Sequence, residues 1–122
     1  MAKKILMVED EKDLQQTLGE LLKTEGFEIL QAYDGEAGLE MARKEKPDLV
    51  LLDLRIPKKD GFEVLEELKK DPNTSAIKVI IFTNLESAED INRALDAGAT
   101  TYIVKANYSL DDILVKIKEI LG

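Results

Sequence analysis

A chain of 122 residues is one domain's worth of sequence, long enough to bury a real core. Its 44% hydrophobic and 34% charged residues are a folded, globular balance, and its formal net charge of -8 speaks against nucleic-acid binding, whose affinity comes from neutralising phosphates. With no cysteine and no histidine, disulfides, thiol or imidazole catalysis and the usual zinc sites are excluded, so any metal must be a hard, oxygen-liganded one.

No apolar stretch approaches the roughly 20 residues of a membrane span. The N-terminus, Met1-Ala2-Lys3-Lys4, leads straight into an apolar run rather than a signal peptide. A cytoplasmic protein without membrane insertion is expected, and residues 1–122 are expected to form a single domain.

In chain order, apolar runs alternate with helical patterns five times. Strand one is predicted at about Lys4–Val8. Helix one follows, with Leu14, Leu18, Leu21 and Leu22 on one face and a stop at Gly26. Strand two is about Glu28–Ala32, and helix two begins near Asp34-Gly35. Strand three, Leu49–Leu54, is a continuous apolar run broken only by Asp53. Pro57 marks the loop Arg55–Asp60, and Asp60 stands three before Glu63 at an N-cap-like spacing for helix three. Strand four is Lys78–Thr83. Ser87 and Asp90 give helix four a capping-box pattern, with a stop at Gly98. Strand five is about Thr101–Lys105, and helix five starts at Ser109 with Asp112 three later.

Strand and helix units of this length, alternating five times, predict an α/β fold with a parallel sheet covered by helices on both faces. Ligands of such sheets bind beyond the carboxyl ends of the strands. Four of the five strand ends carry chemistry there. Glu9-Asp10 follow strand one, Asp53 lies at the end of strand three, Thr83 ends strand four and Lys105 ends strand five.

Glu9, Asp10 and Asp53 crowd together if strands one and three are neighbours, and such a cluster needs a cation. Mg²⁺ fits, since it takes a few oxygen ligands and keeps several waters. Taken singly, Glu9 and Asp10 also read as loop acids favouring the start of helix one. Asp53 is harder to read as surface decoration, because a carboxylate ending an apolar strand costs free energy without compensation. A carboxylate can attack a phosphoryl group to form an aspartyl phosphate. Lys105 can pair with a phosphate oxygen, and Thr83 can hydrogen-bond one. Taken alone, Lys105 also reads as a solvated lysine and Thr83 as a strand former. Together they suit Mg²⁺-dependent phosphoryl transfer.

As a set, these residues resemble the response-regulator receiver domains, the family that includes the single-domain chemotaxis regulators. The resemblance rests on Glu9-Asp10, Asp53 in Leu-Leu-Asp-Leu, Pro57 with Asp60-Gly61, Thr83 after Val-Ile-Ile-Phe, Gly98-Ala99, and Lys105 after Tyr-Ile-Val. It implies a flavodoxin-like (βα)5 sandwich with a five-stranded parallel sheet of order 2-1-3-4-5. It implies that Asp53 accepts a phosphoryl group from a sensor histidine kinase or phosphotransfer protein, with Lys105 and Thr83 assisting. Mg²⁺ is then held by Asp10, Asp53 and the backbone carbonyl of Arg55, with Glu9 acting through water. Thr83 and Tyr102 match the family's switch pair, which changes the face of helix four, strand five and helix five for a downstream protein target. The protein is then a phosphoacceptor promoting its own phosphorylation and dephosphorylation, not an enzyme acting on an external substrate. It is expected as a monomer or a phosphorylation-dependent dimer. Tyr102 also reads as a half-buried packing residue of an edge strand.

Three positions depart from the family pattern. Ala106 stands where a proline with a cis bond usually follows the lysine. A cis bond before a non-proline costs ~3 kcal/mol, which leaves both a cis and a trans bond open here. Asn84 is larger than the usual residue after the switch threonine, and Arg55 places a long cation two residues after Asp53. Both point to an atypical phosphoryl lifetime.

Other classes fit less well. A flavodoxin cradles phosphate in a Ser/Thr/Gly-rich loop after strand one, where this chain has Glu9-Asp10-Glu11. An aspartate-dependent phosphohydrolase needs a second acid where Arg55 stands. A receiver-like interaction module that no longer takes phosphate is the alternative within the same fold.

Overall fold

The computed structural model describes residues 2–122. Five strands, β1 (Lys4–Val8), β2 (Glu28–Ala32), β3 (Leu49–Leu52), β4 (Lys78–Thr83) and β5 (Thr101–Val104), alternate with five helices. The helices are α1 (Lys12–Thr24), α2 (Gly35–Glu45), α3 (Gly61–Lys70), α4 (Ala88–Asp96) and α5 (Leu110–Leu121). All strand pairs are parallel, in the order β2-β1-β3-β4-β5, the flavodoxin-like arrangement that the family resemblance implies. No helix among the described residues is long and apolar enough to cross a membrane.

The central strands are apolar throughout because helices cover both of their faces. Strand alternation divides the core in two. Leu6, Val8, Val50, Leu52, Val79 and Ile81 pack towards α2, α3 and α4. Ile5, Met7, Leu49, Leu51, Ile80, Phe82 and Ile103 pack towards α1 and α5. The edge strands β2 and β5 are only half-buried.

Four helices begin where the sequence places their caps. Asp34, Asp60, Ser87 and Ser109 each accept a backbone N–H from the first turn that follows. Ser109 and Asp112 form the full reciprocal box. Ser87 forms only half of one: its hydroxyl accepts from the Asp90 amide and donates to the Asp90 carboxylate instead of leaving that carboxylate for the backbone. Helix α2 ends differently, on Lys46 in the left-handed region at φ 46°. That conformation suits glycine. Lys46→Gly is therefore expected to raise stability by about 0.5–1 kcal/mol, measured by urea denaturation.

Two strand ends differ from expectation. Strand β3 stops at Leu52 and not at Leu54, because Asp53 turns the chain: its Oδ1 accepts the Arg55 amide two residues on at 3.1 Å. Strand β5 stops at Val104 and not at Lys105, because residues Lys105–Asn107 wind into a 3₁₀ turn. The peptide bond between Lys105 and Ala106 is trans.

Candidate functional site

In this sheet order the direction of strand progression reverses between β1 and β3, which lie side by side with Val8 opposite Leu52. The residues just past those two partners are Glu9 and Asp53. Reversal points of this kind open a crevice at the carboxyl ends of the strands. The ladder still holds Asp53 in place, since its amide donates to the Val8 carbonyl at 3.0 Å.

The start of α3 is pressed onto the same turn. A Cβ on Gly61 would lie 2.4 Å from the Asp53 carbonyl oxygen, so the helix approaches this closely only because residue 61 has no side chain. The Gly61 amide donates to the Leu54 carbonyl at 3.0 Å. Asp53 thus sits on backbone fixed from two directions.

Carried one residue past each strand, the alternation that sends Met7, Leu51 and Ile103 towards α1 and α5 sends Glu9, Asp53 and Lys105 the same way. These three side chains meet. Lys105 Nζ lies 2.9 Å from Asp53 Oδ2 and 2.6 Å from Glu9 Oε1. Its ammonium also sits 5.6 Å above the Phe82 ring. Glu9 and Asp53 are both buried. The other Glu9 oxygen, Oε2, accepts the Glu11 amide at 3.0 Å. Glu9, Asp10 and Asp53 each offer a carboxylate oxygen within 4.8 Å of one another, and Asp10 is the exposed member.

Two opposing effects set the electrostatics. Burial raises the Glu9 pKa above its ordinary value, and the Lys105 ammonium and Glu11 amide only partly offset it. Burial also disfavours the Lys105 charge, but its close contacts with the Glu9 and Asp53 carboxylates outweigh this and hold the ammonium above its ordinary pKa. Glu9 Oε1 is buried and, although in charge contact with Lys105, lacks a well-directed hydrogen bond. Such a buried, under-satisfied oxygen in an all-carboxylate donor set fits a hard divalent cation.

Thr83 and Tyr102 belong to the opposite side of the sheet end. Thr83 is fully buried, and Tyr102 packs with the α4-side core. Both grip the same residue of the β4–α4 loop. Thr83 Oγ1 accepts the Leu85 amide at 3.4 Å, and Tyr102 Oη donates to the Leu85 carbonyl at 2.8 Å. Burial first, then the Asp90 and Asp53 charges, pushes the Tyr102 hydroxyl up to about 12, so it stays a donor. The Arg55 and Asn84 side chains are both exposed beside the site.

One residue of the site is absent from the sequence reading. Gln15 on α1 is fully buried, and the two N–H groups of its Nε2 are shared among the carbonyls of Met7, Glu9 and Ala32 at 3.0, 3.0 and 2.9 Å. It ties the acid-bearing turn after β1 to the end of β2. A signal was there: Gln15 stands at i, i+3 and i+7 with Leu18 and Leu22 on the buried stripe of α1.

The response regulator receiver domain family matches this chain over residues 5–118. Among solved structures, a CheY-like response regulator receiver domain protein from Methanospirillum hungatei is 34% identical, with a TM-score of 0.92, covering 99% of this chain and 94% of that one. The Mn(2+)-bound form of the response regulator Rcp1 is 33% identical with a TM-score of 0.82, over 97% of this chain and 91% of that one. Among curated proteins, the DNA-binding dual master transcriptional regulator RpaA of Synechocystis is 32% identical over 118 residues, 97% of this chain but 48% of that protein. The chain spans about half the length of such curated relatives. A family match across nearly the whole chain, on a sheet of order 2-1-3-4-5, means that this chain belongs to the response regulator receiver domains of two-component signalling.

Proposed function

We propose that Asp53 accepts a phosphoryl group from the phosphohistidine of a sensor histidine kinase or histidine phosphotransfer protein, and that residues 1–122 act as one receiver domain in doing so. The observation that carries this reading is the state of the Asp53 carboxylate. It is held on both oxygens, by the Lys105 ammonium at 2.9 Å and the Arg55 amide at 3.1 Å, at the mouth of a buried strand. A positioned carboxylate is a competent nucleophile. An Asp53 oxygen forms the new bond to phosphorus while the P–N bond of the donor breaks. The electron pair leaves with the imidazole nitrogen, which then takes a proton. Hydrolysis reverses the modification: water attacks phosphorus, the Asp53 O–P bond breaks and inorganic phosphate departs.

In this reading Asp10, Asp53 and the Arg55 carbonyl hold Mg²⁺, with Glu9 acting through water. When bound, the ion neutralises charge on the phosphoryl oxygens. Lys105 supplies a second positive contact, and Thr83 a hydroxyl. The shared grip of Thr83 and Tyr102 on Leu85 supports a switch role for the pair. A hydroxyl drawn towards a new phosphoryl group on Asp53 releases the Leu85 amide, and the loop leading into α4 is repositioned with Tyr102. That shifts the population of the α4–β5–α5 face and its recognition by a downstream protein or a second copy.

Incubation with acetyl phosphate and Mg²⁺ tests the reading. Intact mass is expected to show an acid-stable, base-labile phosphoryl adduct that EDTA suppresses. No adduct would overturn the proposal, and uptake indifferent to EDTA would remove the cation from it.

A further inference from the structure

Helices α2 to α5 are each capped by a side chain, and α1 is not. Its N-cap residue is Glu11, in the extended conformation suited to capping, with φ -78° and ψ 109°, yet its carboxylate makes no bond to the helix. The carboxylate reaches across to Lys105 instead, with Oε1 3.3 Å from Nζ. A local rule of helix formation is set aside here in favour of a contact at the site.

The contact completes a cage. The Lys105 ammonium faces three carboxylates, donating to Asp53 at 2.9 Å and to Glu11 at 3.3 Å and lying in charge contact with Glu9 at 2.6 Å. A phosphoryl oxygen arriving at Asp53 competes with these carboxylates for the ammonium. Glu9 and Asp53 are buried beside Lys105, whereas the Glu11 side chain is 59% exposed and makes the longest contact. Glu11 is therefore the acceptor most readily displaced.

We propose that Glu11 is a positioning residue, a tether on Lys105 that competes with the incoming phosphoryl oxygens for its ammonium and so slows phosphoryl uptake at Asp53. This rests on the reading of Asp53 as the phosphoacceptor. An exposed contact can be exchanged for a phosphoryl oxygen without unfolding anything, so the tether acts on rate and not on the fold.

The test compares wild type, Glu11→Gln and Glu11→Ser with acetyl phosphate and Mg²⁺. Both variants are expected to take up phosphate about two- to fivefold faster, the range an exposed ion pair supports. Serine also restores a capping hydroxyl to α1, so Glu11→Ser is expected to melt at a higher temperature while Glu11→Gln is not. A second measurement separates the tether from a general loss of negative charge. The ¹⁵N ammonium signal of Lys105, recorded without phosphodonor, is expected to shift in Glu11→Gln. Uptake unchanged or slower in both variants, or a Lys105 signal that does not move, overturns the proposal. If the wild type itself takes up no phosphate, the failure is that of the Asp53 reading, and the Lys105 signal alone then decides whether the tether exists.

Discussion

Replacing Lys105 with methionine is expected to lower the stability of the cation-free protein by about 3 kcal/mol, and added Mg²⁺ is expected to return most of that loss. The reason lies in what the ammonium holds apart. Glu9 and Asp53 are both buried, and Lys105 touches both, at 2.6 and 2.9 Å. Methionine preserves the packing of the aliphatic stem and removes the charge. Two carboxylates then face each other at the end of the sheet, and removing one partner of a buried ion pair leaves an uncompensated charge. A divalent cation at the carboxylates substitutes for the missing ammonium. Urea denaturation with and without Mg²⁺ reads both halves of the prediction. A variant as stable as wild type without cation would mean that Lys105 is not the counter-ion the geometry makes it.

The second large effect is expected at Gln15. Leucine there should cost about 2–3 kcal/mol and weaken Mg²⁺ binding in the protein that remains folded. Its Nε2 serves the Met7, Glu9 and Ala32 carbonyls from a fully buried position. Leucine fills similar space but leaves carbonyls without this donor, and a buried polar group stripped of its partner costs roughly 1–3 kcal/mol. The Ala32 carbonyl keeps the Glu9 amide as a second donor, so the Glu9 carbonyl bears more of the loss. That carbonyl belongs to the turn whose side chains build the acid cluster, which links the fold to the site. Denaturation midpoints and an Mg²⁺ titration at a temperature where the variant is fully folded measure the two effects. Loss of stability with unchanged cation affinity would make Gln15 a packing residue only.

The strands, the helices and their alternation along the chain were legible because the pattern is simple. Central strands such as Val79–Phe82 are apolar throughout since both faces are covered, and the caps Asp34, Asp60 and Ser109 announce helix starts. The carboxyl ends of β3 and β5 were not, because apolar patterning does not register the local hydrogen bonds that stop a strand. Leu54 continues the buried pattern, yet the Asp53 side chain has already turned the chain by accepting the Arg55 amide. At the site, Glu9, Asp53 and Lys105 could be brought together from the sequence because each lies at the carboxyl end of a predicted strand. Gln15 escaped notice because a buried amide on a helix looks like any polar residue beside a leucine stripe. Its role depends on carbonyls of β1 and β2, which only the packed structure sets beneath it. The reach of Glu11 to Lys105 escaped for a related reason: the two are 94 residues apart, and its place before α1 suggests a cap.

The central claim is that Asp53 carries the phosphoryl group. Treating wild type and Asp53→Asn with acetyl phosphate and Mg²⁺, then reducing with borohydride and mapping the peptide that contains residue 53, tests it most directly. An acyl phosphate at Asp53 is reduced to homoserine at that position, so this change is expected in wild type and no adduct anywhere in Asp53→Asn. Homoserine at another acid, or an adduct that persists in Asp53→Asn, would contradict it.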